Sequence, residues 1–282
     1  MKSGKRARLW VSAGVVALVA IGALAVKRYV IDRPYASPGW AYEIHTRGLL
    51  RADNVAIGPD KSIYVSLEQS RGKGKIVRLK DGRTQTVVYN LSRPDGLIAS
   101  ASDLYVSEEI EGGRILKIAL KDFSKTVVTR LEKPEGIMVM PDGALIVAQD
   151  KTDGRVVKVS SNGTVTVLAD NIRRPEGLTL GKDGEIYVAE TATGRILRIS
   201  EKGVEPFVEG LNQPDQVTMG PDGALWITED RKGARLMRFS SGRLETILEN
   251  LNKPQGIAVA DATSVYVVEQ GRNRLLRVHS AR

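Results

Sequence analysis

Four carboxylates in this chain, Asp95, Glu135, Glu176 and Asp215, each follow a proline (Pro94, Pro134, Pro175 and Pro214). Gly96, Gly136 and Gly177 complete three of these triplets and Gln216 the fourth; a degenerate first copy is Ala52-Asp53-Asn54 and a last copy is Pro254-Gln255-Gly256. The second positions stand at 53, 95, 135, 176, 215 and 255, so successive steps are 42, 40, 41, 39 and 40 residues. If each copy is one unit placed around an axis, Asp53, Asp95, Glu135, Glu176 and Asp215 converge with the Gln255 amide on one centre. Like charges brought together repel, and a bound cation, a raised pKa or neighbouring bases relieve them. Oxygen ligands with no Cys or His among them suit Ca²⁺ or another divalent cation such as Mg²⁺.

Neighbouring bases are also present. Two residues before the six positions stand Arg51, Arg93, Lys133, Arg174, Gln213 and Lys253, so an alternating-charge rim without metal is the competing reading. A third is that the acids accept hydrogen bonds from loop amides and hold the connections. A second set, Glu68 (offset by one), Glu108, Gln149, Glu190, Glu229 and Glu269, faces the same opening. It is followed a few residues later by Lys75, Arg114, Arg155, Arg195, Arg235 and Arg274. Across a hairpin such pairs stabilise a sheet by ~0.2–1 kcal/mol, and this set reads as structural.

The elements that must position these residues are strands. Every apolar run in the repeat is short, rich in β-branched residues and bounded by Gly, Asp or Asn, as in Ile186-Tyr187-Val188 and Arg195 to Ile199 around Gly194. Met140-Pro141-Asp142-Gly143, Gly181-Lys182-Asp183-Gly184 and Gly220-Pro221-Asp222-Gly223 read as tight turns between first and second strands. Four antiparallel strands in each of six copies of about 40 residues predict an all-β, six-bladed β-propeller. The last copy ends one strand short, at Arg274 to Val278. The missing outer strand is expected at residues 40–46, Trp40 to Thr46, joining the two ends of the chain and removing a sheet edge.

The N-terminus has another character. Lys2, Lys5, Arg6 and Arg8 precede 18 residues without a charge, Leu9 to Val26, followed by Lys27-Arg28. The organisation expected is a basic cytoplasmic segment over 1–8, a signal-anchor or transmembrane helix over 9–26, a tether over 27–39 and the propeller over 40–282. Ala23-Leu24-Ala25 also fits cleavage of a signal peptide and secretion. The basic flank favours a cytoplasmic N-terminus and an extracytoplasmic, periplasmic propeller. Of the net charge of +9, residues 1–33 carry seven bases and one acid, hence +6, which leaves +3 interspersed over the rest. No basic run with interleaved aromatics accompanies that remainder, which excludes a nucleic-acid partner. Cysteine is absent, so disulfides, thiolate metal sites and a Cys nucleophile are excluded. His45 and His279, the two histidines, both fall in the sixth blade away from the axis, which disfavours a His base in the channel.

The pattern P-[DEQ]-G-[LI], then D-G-x-[LI]-[YW]-V and G-R-[IV]-[LV]-[KR]-[IV], resembles the NHL-repeat and gluconolactonase (regucalcin-like, senescence-marker) propellers over nearly all of residues 40–282. The stretch Gly220 to Asp230 is similar to virginiamycin B lyase. The gluconolactonase resemblance implies a channel cation held by a Glu, an Asn and an Asp. By position the Asp corresponds to Asp215 or Asp95, whereas the first blade has Ala52-Asp53-Asn54 and no blade has P-N-G. The catalytic His residues of the lyase have no channel-facing counterpart. The leading expectation is an exported, membrane-tethered propeller binding a small molecule or an envelope protein at its acidic channel face, with a divalent cation. The alternatives are a metal-dependent lactone or ester hydrolase and a structural interaction module of the cell envelope.

Overall fold

The computed structural model describes residues 33–281; the apolar stretch 9–26 and its expected helix lie outside them. Among the described residues no helix is long and apolar enough to cross a membrane. The chain forms six antiparallel blades, with inner strands Ala52–Ile57, Pro94–Ala99, Pro134–Val139, Pro175–Leu180, Pro214–Met219 and Pro254–Asp261. Each inner strand packs against the next and the last against the first, closing the ring. The second strands are Ile63–Leu67, Asp103–Glu108, Leu145–Gln149, Ile186–Glu190, Leu225–Glu229 and Ser264–Glu269. The outer strand of blade 6 is Trp40–Arg47, paired antiparallel with Arg274–Ser280 from Trp40↔Ser280 to Arg47↔Arg274. The third strand of blade 6 thus runs through His279, one residue beyond where the apolar pattern fades. Part of the expected tether is docked on the propeller. The Ser37 N–H donates to the Ile247 carbonyl (3.0 Å) and its hydroxyl to the Thr246 carbonyl (2.6 Å), along the outer strand of blade 5.

Packing between blades supplies the stability. Met138, Ile146 and Val156 of blade 3 are buried with Leu178, Val188 and Leu197 of blade 4. Trp226, fully buried in blade 5, meets the closing strand through an edge contact with Trp40 at 5.4 Å between ring centres. Burying one large aliphatic or aromatic side chain contributes roughly 1.5–3 kcal/mol, more than an exposed ion pair such as Lys80–Asp60 supplies. The apolar seams therefore decide the fold, and the surface pairs decorate it.

The triplets have a local logic. Register shifts fall between Pro94 and Leu97, Pro134 and Ile137, and Pro175 and Leu178, and at the same place in the other three inner strands. Two residues there oppose one on the second strand, a bulge that bends the strand and re-aims the acid. The residue before each triplet is left-handed: Arg51, Arg93, Lys133, Arg174, Gln213 and Lys253 have φ of 54, 48, 39, 55, 55 and 51°. Such a conformation costs a non-glycine residue roughly 1–2 kcal/mol, offset by a hydrogen bond that its carbonyl accepts. The glycine of the triplet is required by close approach, since a Cβ on Gly136 would stand 2.3 Å from the Glu176 carbonyl oxygen and one on Gly96 2.1 Å from that of Glu135. Ser107 of blade 2 adds a stitch, its hydroxyl donating to the Glu135 carbonyl at 2.5 Å.

Candidate functional site

The five triplet acids meet at one mouth of the channel but divide into two groups. Glu135, Glu176 and Asp215, from blades 3, 4 and 5, bring carboxylate oxygens within 4.8 Å of one another. Asp53 and Asp95, from blades 1 and 2, share a side-chain hydrogen bond, and Gln270 Nε2 donates to Asp53 Oδ2 at 3.0 Å. Gln255 is buried in the sixth position and adds no charge. Burial and mutual repulsion hold the carboxyls of Asp53, Asp95, Glu135 and Asp215 well above the usual carboxylate range. Burial pushes Glu176 up to about 8 even with Arg174 opposing it.

A further set of acids, which sequence reasoning missed, enters the same mouth. Glu68, Glu109, Asp150, Thr191, Asp230 and Gln270 each donate a backbone N–H to the carbonyl of the left-handed residue ahead of the triplet, at 2.8–3.1 Å. Four of these six are carboxylates. Glu109, Glu135 and Asp150 form a second trio of oxygens within 4.8 Å, and burial, with Asp150 nearby, pushes Glu109 up to about 7. Glu68 belongs here rather than with the set that closes the second strands. It ion-pairs with Arg93 at 2.8 Å, and its expected pairing with Lys75 is not formed. The signal available in the sequence was parity. The residue after the last strand position points to the opposite side, so the successors of Glu108, Gln149 and Glu229 face the channel.

The bases act as the competing reading anticipated, but only in part. Arg93 pairs with both Glu68 and Glu109. Arg174 donates from Nε to Asp150 Oδ1 (3.0 Å) and from Nη2 to Asp150 Oδ2 (3.3 Å) and Glu176 Oε1 (2.7 Å), while Lys253 Nζ lies 3.5 Å from Asp230. Among the described residues Arg51 and Lys133 make no ion pair, and the Glu135 and Asp215 carboxylates have neither an ion pair nor a hydrogen bond. The second oxygen of Glu176 is buried and unpartnered. The trio of blades 3, 4 and 5 is thus the least compensated part of the mouth. Three clustered carboxylate oxygens, one of them buried without a donor, fit a hard divalent cation, whose ligands are carboxylates and carbonyls.

Glu108, Glu190, Glu229 and Glu269 are buried beside the mouth as structural clasps rather than facing it. Each accepts a backbone N–H from the residue two before its own blade's proline or, in blade 1, has no counterpart. The donors are Ser92, Arg173, Asn212 and Asn252, at 2.8–2.9 Å. Each also binds the expected arginine: Arg114 (2.5 Å), Arg195 (2.5 Å), Arg235 (2.5 Å) and Arg274 (2.5 Å). Gln149 instead donates to the Glu132 carbonyl at 2.9 Å, and its expected contact with Arg155 is a backbone register pair alone. His45 stands edge-on to Tyr266 at 5.2 Å on the rim, and His279 bonds the Ser280 carbonyl at 3.0 Å. Neither reaches the channel.

The six blades define the class of the fold, a six-bladed propeller, and comparison with solved structures agrees. The family described as "Strictosidine synthase-like, N-terminal" matches residues 163–199, the outer strand of blade 3 and most of blade 4. A gluconolactonase from Xanthomonas campestris superposes with a TM-score of 0.71 at 16% identity, covering 89% of this chain and 95% of that one. The PQQ-bound aldose sugar dehydrogenase of Streptomyces coelicolor gives 0.67 at 15%, covering 88% and 100%. Virginiamycin B lyase from Staphylococcus aureus gives 0.61 at 16%, covering 88% and 100%. No curated protein sequence matches the chain. The fold is the six-bladed propeller that these solved structures share.

Proposed function

We propose that the channel mouth holds a divalent cation between Glu135, Glu176 and Asp215 and that the protein binds a small polar substrate there and hydrolyses a lactone or related ester. The observation that carries this reading is the trio itself: oxygens of buried Glu135 and Glu176 and half-buried Asp215 lie within 4.8 Å of one another, and Glu176 Oε2 is buried without a donor. Ca²⁺, Mg²⁺ or Mn²⁺ suits such oxygens, and when bound it would polarise the substrate carbonyl. The chain's own residues supply the rest. Arg174 fixes one oxygen of Glu176 and so turns the other toward the trio. The hydrogen-bonded Asp53–Asp95 pair lies outside the trio, and its ionised member would take up the proton lost by an attacking water. The likeness to a gluconolactonase supports this reaction class.

The deciding experiment is a panel of lactones and aryl esters assayed with chelator and with millimolar Ca²⁺, Mg²⁺ or Mn²⁺, on wild type and Glu135→Gln. Hydrolysis that needs the cation and is lost in Glu135→Gln is expected. Hydrolysis untouched by chelator would overturn the cation's role. Metal binding with no hydrolysis across the panel would leave a cation-dependent binding protein. The proposed setting is the extracytoplasmic side of a membrane, on the strength of the basic residues ahead of the 18-residue uncharged stretch. A reporter fused after Arg282 that works only outside the cytoplasm should be active, and activity of a cytoplasm-only reporter would reverse the topology.

A further inference from the structure

Two oxygen trios meet at one residue. Glu135 belongs to the trio with Glu176 and Asp215 and equally to the trio with Glu109 and Asp150. Its side chain is more than nine-tenths buried, yet among the described residues no hydrogen-bond donor or base reaches it. A buried charge in that state needs a partner, and one cation on one side of Glu135 satisfies only one of its faces.

We infer that the mouth holds a pair of divalent cations bridged by the Glu135 carboxylate, the second seated between Glu109, Glu135 and Asp150. The inference rests on the cation reading proposed above and extends it from one ion to two. Arg93 and Arg174 already touch Glu109 and Asp150, and this does not use up those carboxylates. An ionised carboxylate offers about four lone-pair sites, and ligating carboxylates are ordinarily held by further hydrogen bonds that aim them. Both arginines are more than two-fifths exposed, so they approach from the rim and leave the inward lone pairs open. A shared carboxylate sets two ions about 3.5–4 Å apart, the spacing of two-metal hydrolytic sites. Such a pair, held by Glu109, Glu135, Asp150, Glu176 and Asp215, would supply Lewis acidity to a substrate carbonyl and lower the pKa of a bound water.

The test is to strip the full-length protein with chelator and titrate it with Mn²⁺, counting bound ions and recording the electron paramagnetic resonance spectrum at saturation. Two ions per chain with a spin-coupled signal are expected. In Asp150→Asn and Glu109→Gln the coupled signal should vanish. The second ion's affinity should fall by about tenfold or more, with the first ion's changed by less than about threefold. Melting in chelator shows that these variants fold. One ion per wild-type chain, two ions with only the six-line signal of isolated Mn²⁺, or a coupled pair surviving in Asp150→Asn would each overturn the bridged pair and leave the single-cation reading standing. No bound ion would overturn both.

Discussion

Two sets of buried glutamates lie within a few residues of each other, and they are in opposite electrostatic states. Glu190 has the Arg173 N–H, the Thr193 hydroxyl and the Arg195 guanidinium around it. Burial works to raise its carboxyl, and these donors outweigh burial and hold it below its ordinary value. Glu176 is set deeper, with burial opposed only by Thr191 nearby and the Arg174 guanidinium on one oxygen, and burial wins. The same residue type is held ionised or pushed toward its neutral form according to how deeply it is set and how many donors reach it. Strongly shifted acids cluster at functional sites, and it is the uncompensated set to which the cation is assigned above.

The comparison breaks most visibly at a clasp. Glu269→Ala should destabilise by about 3–5 kcal/mol, because it strands the Arg272 and Arg274 guanidinium groups and the Asn252 N–H. Denaturant unfolding measures it, and a change within experimental scatter would remove the distinction between the two sets. A smaller and pH-dependent effect belongs to the channel. The native state holds protons on Glu109 and Glu176 that the unfolded chain has released above about pH 4.3. The contribution of these two groups to stability in chelator is therefore fully present below that pH. It should fall as pH rises toward 8, by about 1.4 kcal/mol per unit for each extra proton bound. Melting scans at pH 5, 6.5 and 8.5 check the sign, and a protein more stable at 8.5 than at 5 would contradict it. Added cation should flatten this slope, since it replaces the protons.

The smallest expected effect sharpens the comparison. Glu176→Gln in chelator should be neutral or stabilising by about 0–1 kcal/mol, most clearly above pH 8, where wild type must ionise this carboxyl beside several like charges. With millimolar Ca²⁺ it should melt below wild type, because wild type gains binding energy in proportion to its affinity. The same melting point for both proteins in Ca²⁺ would show that Glu176 is not a ligand.

The repeat made most of this architecture legible. Blade number, turn positions, the place of Asp53, Asp95, Glu135, Glu176 and Asp215, and the return of Trp40 to Thr46 to the last blade all follow from spacing, which a propeller converts directly into angle. The grouping of those acids did not follow. Each sits in a bulge beside a left-handed residue, and the bulge decides whether a carboxylate meets its neighbour or a base. Glu109, Asp150 and Asp230 were obscured by the glutamates or glutamine just before them. In a strand one step of register exchanges the two faces, and only the structure shows where the strand ends. Docking of Ser37 on blade 5 left no sequence signal, since its contacts are to backbone carbonyls.

The seam at blade 6 bears on how the chain reaches this state. Glu43 and Arg277 lie across the seam from each other and 234 residues apart in the chain, so the first propeller strand to leave the ribosome must wait for the last. Until it arrives Trp40, Tyr42 and Ile44 lack the apolar partners they have in the closed ring, and blade 6 presents an open edge. A pairing this distant is slow to form, and a chain cut short by premature termination can never make it. The clasp between the two ends is therefore also a test of completeness, in which a truncated product keeps its adhesive edge exposed and a finished one hides it.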